Sequence, residues 1–131
     1  MGAGAFALAG SNRGFGVVAN SSVVGHDLCM LELRPICENC AVELPPESTQ
    51  AMICSFECTF CRDCVTTVLT DVCPNCGGGF CPRPNRPLID WNGGNDCTTY
   101  PPATTRRHRP VDGAVHRALV ARIGSLAPER R

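Results

Sequence analysis

Eight cysteines between Cys37 and Cys76 constrain this chain more than any other feature. They are spaced Cys37-x2-Cys40-x13-Cys54-x3-Cys58-x2-Cys61-x2-Cys64-x8-Cys73-x2-Cys76. A C-x2-C turn lets two thiolates approach one ion at Zn–S distances of about 2.3 Å, and two such turns complete a closed tetrahedron. At sites of this kind binding energy is folding energy. The chain needs that contribution: its 131 residues suffice for one domain with tails, aromatic side chains are only 5% of it, and Gly, Pro and Cys are plentiful.

A secreted disulfide scaffold is the competing reading of so many cysteines, and it fits poorly. The total is eleven, an odd number, and Cys37/Cys40, Cys61/Cys64 and Cys73/Cys76 are spaced for a shared metal rather than for a disulfide. Met1 to Gly10 lack the basic start of an export signal, and Ser11, Asn12 and Arg13 interrupt the short apolar stretch. Apolar runs fall far short of the roughly 20 residues of a membrane span. Phe6 stands where a myristoylation motif at Gly2 wants Ser or Thr. The expectation is a cytoplasmic protein with no membrane partner.

Composition divides the chain. Residues 1–29, rich in Gly, Ala, Ser and Val without sustained periodicity, read as a disordered extension, and Met30 is a candidate translation start. Residues 30–87 form the cysteine-rich domain, with loops at Pro45-Pro46 and Gly77-Gly78-Gly79 and an extended stretch from Ala51 to Cys54. Val65, Val68, Leu69 and Val72 stand at i, i+3, i+4 and i+7, which predicts a short amphipathic helix after Cys64. Residues 88–110 read as a Pro/Gly-rich linker with Trp91 as its large anchor. Residues 111–131 form a basic tail with a helix capped by Asp112, a stripe of Val115, Leu119, Val120 and Ile123, and a stop at Gly124 and Pro128.

The first helix decides which cysteines share an ion. Eight helical residues would separate Cys64 from Cys73 by about 12 Å, whereas sulfurs on one zinc lie roughly 4 Å apart. Cys61/Cys64 and Cys73/Cys76 therefore serve different ions. The interleaved solution places Cys37, Cys40, Cys61 and Cys64 on one zinc and Cys54, Cys58, Cys73 and Cys76 on the other. Closed four-cysteine sites leave no position for substrate, so both ions are read as structural.

The spacing, the helix and Cys73-Pro74-Asn75-Cys76 resemble a RING-type cross-brace with cysteine at every ligand position, which implies a small zinc-stabilised α+β domain. More closely, Leu31-Glu32-Leu33-Arg34-Pro35, Ile53-Cys54-Ser55-Phe56-Glu57-Cys58-Thr59-Phe60-Cys61 and Val72-Cys73-Pro74-Asn75-Cys76-Gly77-Gly78 resemble an uncharacterised bacterial family of short cysteine-rich domains. His108-Arg109-Pro110-Val111-Asp112 and Pro128-Glu129-Arg130-Arg131 look like its longer members. That family has no established activity. Ubiquitin-type ligases with a RING domain usually carry an apolar residue just after the first cysteine and an Arg just after the last. This chain has Glu38 and Gly77 there, although Pro74 and Leu69 match. The expectation is a protein-interaction module that is not an enzyme.

Two further readings compete. Cys58-x2-Cys61-x2-Cys64 followed by Cys73-Pro74 is also similar to a ferredoxin-type run that holds an iron–sulfur cluster, but it leaves Cys37, Cys40, Cys54 and Cys76 without a role. Nucleic-acid binding draws on Arg106, Arg107, Arg109, Arg117, Arg122, Arg130 and Arg131. Against it, no aromatic residues interleave with these arginines, and from Met30 to Asp90 eight acids outnumber four bases. The acidic core is instead a candidate partner for the tail, whose short helix is marginal without something to pack on. Cys29, Cys81 and Cys97 lie outside the eight-cysteine set, and His26, His108 and His116 have no spacing that suggests a site.

Overall fold

Two tight cysteine turns, a small sheet and a helical turn make up the centre of the molecule. The computed structural model describes residues 30–131, of which Glu32–Arg131 form one unit. The expectations for residues 1–29, His26 and Cys29 among them, lie outside the described residues.

Strand β1 (Ala51–Ile53) pairs antiparallel with β2 (Thr59–Cys61) in the register Ala51 with Cys61, Met52 with Phe60 and Ile53 with Thr59. On its other edge β1 pairs with β3 (Cys81–Pro82), so the sheet order is β2-β1-β3. The β1–β2 connection runs from Cys54 to Cys58, with Glu57 at φ 65° and its N–H donating to the Cys54 carbonyl at 3.0 Å. This tight return brings two of the eight cysteines to one end of the hairpin. Phe60 anchors the core, meeting Phe80 edge to face at a centroid distance of 5.6 Å. Leu33, Leu44, Val65 and Leu69 are buried with it.

The helix after β2 differs from the periodicity argument. It begins earlier, as α1 (Arg62–Cys64), because the Cys61 sulfur accepts the Cys64 N–H and caps the first turn. It then widens into a π-helical turn (Val65–Leu69) and stops at Thr70, which has left-handed backbone (φ 49°) and donates its N–H back to the Val65 carbonyl. Asp71 follows in the same conformation. Val65 and Leu69 are buried as the stripe requires, whereas Val68 is exposed and Val72 is buried beyond the helix end.

Residues 88–110 hold no regular element but are tied down. Buried Arg83, just before them, donates to the carbonyls of Arg34, Leu44 and Pro45. Arg86 donates to the Tyr100 carbonyl, and the Ala103 N–H reaches the Leu33 carbonyl at 2.9 Å. Trp91 is not the anchor: it is 78% exposed.

Helix α2 (Gly113–Ile123) starts where Asp112 accepts the N–H groups of Ala114 and Val115 and ends at Gly124 (φ 67°). Three of the four stripe residues, Leu119, Val120 and Ile123, are half-buried, but His116 takes the place of Val115 on the inward face. Val115 is 67% exposed, while His116 is 4% exposed and donates from Nε2 to the Leu69 carbonyl at 2.9 Å. The inward positions His116, Leu119, Val120 and Ile123 have the i, i+3, i+4, i+7 spacing of a helix lying on a surface. A polar residue at the key contact hid this register. A 3₁₀ turn (Pro128–Arg130) follows, and Arg131 donates to the carbonyls of Asp71 and Gly77.

Candidate metal centre

Each cysteine turn is built by the same local bonding. In Cys37-Glu38-Asn39-Cys40-Ala41 the Ala41 N–H donates to the Cys37 carbonyl at 2.9 Å, and the Cys37 N–H returns to the Val42 carbonyl at 3.0 Å. In Cys73-Pro74-Asn75-Cys76-Gly77 the Gly77 N–H donates to the Cys73 carbonyl, and the Cys73 N–H to the Gly78 carbonyl, both at 2.8 Å. The fifth residue is left-handed in both, with Ala41 at φ 66° and Gly77 at φ 80°. Both turns read Cys-x-Asn-Cys.

These turns and the hairpin gather the sulfurs into two sets. Cys37, Cys40, Cys61 and Cys64 place their Sγ atoms within 4.8 Å of one another, as do Cys54, Cys58 and Cys73. Cys61 and Cys64 come from the end of β2 and the first turn of α1, and Cys54 and Cys58 from the two ends of the hairpin connection. The two sets interleave along the chain. Cys76 is exposed and stands outside the second set, its sulfur accepting the Gly78 N–H at 3.3 Å. Cys81 is exposed on β3, and Cys97 points to the Arg86 carbonyl at 3.6 Å. His108 meets the Asn39 carbonyl.

The donor set and its dimensions fit a thiophilic tetrahedral ion. Cys40 Sγ and Cys61 Sγ are 3.7 Å apart, and the edge of a tetrahedron with Zn–S bonds of about 2.3 Å is about 3.8 Å. N–H groups already point at the sulfurs: Cys40 at Cys37, Cys64 at Cys61 and Phe56 at Cys54, at 3.3–3.5 Å. Two side chains add to them. Asn39 Nδ2 donates to Cys64 Sγ at 3.2 Å, and Asn75 Nδ2 to Cys58 Sγ at 3.3 Å. The repeated Cys-x-Asn-Cys was the available sequence signal for this pair.

Burial pushes the thiols of Cys58, Cys61, Cys64 and Cys73 above the ordinary cysteine value. Cys37 goes the other way: burial raises it, but the N–H groups of Cys40, Cys61 and Asn39 together bring it down. The four raised thiols hold their protons at neutral pH, so an ion entering the sites must displace them. Metal uptake at pH 7 is therefore expected to release at least these four protons per chain. Apparent affinity should fall as the pH is lowered, because protons compete for the thiolates, and rise as it is raised. Calorimetric titration of zinc in buffers of different ionisation enthalpy checks this, and uptake without proton release would contradict it.

A short chain with two interleaved thiol sets is a small cysteine-rich domain able to hold metal ions. This chain belongs to the family described as Protein of unknown function (DUF1272), whose model matches residues 30–86. Over 89 residues it is 48% identical to an uncharacterized protein of Rhizobium meliloti (strain 1021), an overlap spanning 68% of this chain and 99% of that one. No solved structure matches the chain.

Proposed function

We propose that both thiol sets hold zinc, that the ions are structural, and that the folded domain is a non-enzymatic protein-interaction module of the reducing cytoplasm. The interleaved gathering of seven cysteine sulfurs carries this reading. Cys76 is assigned as the eighth ligand from the repetition of the turn: Cys37-Glu38-Asn39-Cys40 places both of its sulfurs in one set, and Cys73-Pro74-Asn75-Cys76 has the same hydrogen bonds and the same left-handed fifth residue. With four cysteines to each ion, the arrangement is a RING-like cross-brace.

The rival readings have less support. A ferredoxin-type run would gather Cys58, Cys61 and Cys64 on one cluster, whereas Cys58 sits in one set and Cys61 and Cys64 in the other. For ligase docking, Glu38 is turned into the core rather than offered to a partner. Three tail arginines are engaged at the surface of the domain: Arg106 pairs with Glu43, Arg107 approaches Glu32 at 3.8 Å, and Arg131 donates to the carbonyls of Asp71 and Gly77. That use of the basic side chains favours a protein partner over a phosphate backbone. Among the described residues no helix is long and apolar enough to cross a membrane.

Elemental analysis of purified protein is expected to give two zinc ions per chain, falling to one, or to a second ion easily lost, in Cys76→Ser. One zinc in the fully loaded wild-type chain, or a brown protein absorbing near the iron–sulfur region, would replace this reading.

A further inference from the structure

The two asparagines of the cysteine turns face in two directions. Asn39 donates from Nδ2 to Cys64 Sγ and accepts the Val111 N–H on Oδ1 at 2.9 Å. Asn75 donates from Nδ2 to Cys58 Sγ and accepts from the Arg109 guanidinium on Oδ1 at 3.4 Å. One side-chain amide in each sulfur set thus joins a prospective metal ligand to the same short stretch of the C-terminal segment. The backbone reinforces the placement: the Arg109 N–H donates to the carbonyl of Glu38, which lies between Cys37 and Asn39. Beyond this stretch α2 lies over Glu38, Phe60, Pro74 and Asn75 around a cavity of about 270 Å³.

We propose that Asn39 and Asn75 are positioning residues that couple metal occupancy to docking of residues 106–131, so that the C-terminal segment is a latch held shut by the metal ions. The inference rests on the two-zinc reading. A thiolate bound to an ion needs its outer donors held in place, and a docked tail fixes the amide that supplies one. Conversely, a sulfur locked on its ion fixes that amide, so its oxygen waits at the position the tail N–H must reach. Linkage makes the effect reciprocal: whatever factor the metal adds to tail docking, the tail adds to metal affinity. Outer donors of metal ligands typically change affinity by about 10- to 100-fold. Loss of the ion from the Cys37 set alone releases the amide, loosens Arg109 to Val111, and uncovers His116, Leu119, Val120 and Ile123 of the C-terminal segment together with its arginines. The latch converts loss of one ion into exposure of a basic segment that carries apolar side chains.

The test is a double-mutant cycle on the full-length, zinc-loaded chain, with transfer of zinc to a chelator as one readout and hydrogen exchange of the Val111 and Arg109 amides as the other. Val111→Pro removes the N–H that Asn39 accepts and leaves every cysteine in place. It is expected to quicken zinc transfer from one of the two sites by about tenfold. Asn39→Ala is expected to do at least as much and to remove the protection of the Val111 amide. Because the two act through one bond pair, the double variant should be no faster than Asn39→Ala alone. At the other set, Asn75→Ala and Arg109→Ala should repeat the pattern; should Asn39→Ala not load with zinc, this second cycle decides. If Val111→Pro and Arg109→Ala leave zinc transfer unchanged, or if effects within each cycle simply add, the latch is refuted while the two-zinc reading stands. A chain that binds no zinc at all removes the reading itself.

Discussion

Stripping zinc from the loaded protein with a strong chelator is expected to abolish its folded circular-dichroism signal rather than merely loosen it. Among the described residues, the buried apolar side chains apart from cysteines are few: Leu33, Ile36, Leu44, Ala51, Met52, Ile53, Phe60, Val65, Leu69 and Val72. Three strands of two or three residues, α1 with its π-helical turn, the one longer helix α2 and a 3₁₀ turn among the described residues give little else to hold the chain. Structural zinc in small domains contributes about 10–16 kcal/mol of apparent binding energy, comparable to or larger than the 5–15 kcal/mol net stability of an ordinary protein. The sets should also fail separately. Cys37→Ser and Cys61→Ser should perturb the same cobalt chromophore in metal-substituted protein, and Cys54→Ser and Cys73→Ser the other. Native-like dichroism after complete metal removal, or a single chromophore shared by Cys61 and Cys73, would overturn the two-site arrangement.

The gathering of seven of the eight cysteines into two interleaved sets, Cys76 standing apart, was readable from a separation that does not depend on helix details. Eight residues of any helical turn keep Cys64 from Cys73, so the discovery that the segment is partly π-helical and starts at Arg62 changes nothing about the pairing. The cap of Asp112 and the stop at Gly124 were legible for the same reason: each is a local rule with a local partner. Tertiary partners were harder to see. His116 is buried because the Leu69 carbonyl at the end of the π-helical turn, which also accepts the Val72 N–H and the Thr70 hydroxyl, lies where its ring can reach it. Nothing in α2 itself announces that acceptor, so the apolar stripe was drawn through Val115 instead. Arg83 likewise shows no special role in the sequence until its guanidinium is seen gathering the carbonyls of Arg34, Leu44 and Pro45. Asn39 and Asn75 fall between these cases, since the repetition of Cys-x-Asn-Cys was visible but its meaning required both faces of each amide.

Glu38→Ala is expected to be the most damaging change outside the cysteines. The side chain is 2% exposed, and its Oε2 accepts from Arg34 at 2.8 Å and from the Thr59 N–H at 2.9 Å. Its own N–H donates to the Thr59 carbonyl, and its carbonyl receives the Arg109 N–H. One residue inside the first cysteine turn thereby fixes β2 one position after Cys58 and fixes the C-terminal segment as well. Removing the carboxylate leaves the Thr59 N–H buried without its acceptor and leaves Arg34 with only Glu32, at 3.0 Å, as an ion-pair partner. Breaking a buried pair from one side costs about 3–5 kcal/mol. The lower end applies, because Glu32 remains and the Arg34 side chain keeps 14% of its exposure. Glu38→Gln separates charge from geometry: its amide oxygen still accepts from Thr59 while the ion pair is lost, so the loss should be smaller, about 1–3 kcal/mol. Denaturant unfolding with zinc present measures both. If Glu38→Ala unfolds within about 0.5 kcal/mol of wild type, the carboxylate is not the brace between the two cysteine sets. If Ala and Gln cost the same, the Thr59 bond contributes nothing and the effect lies wholly in the charge.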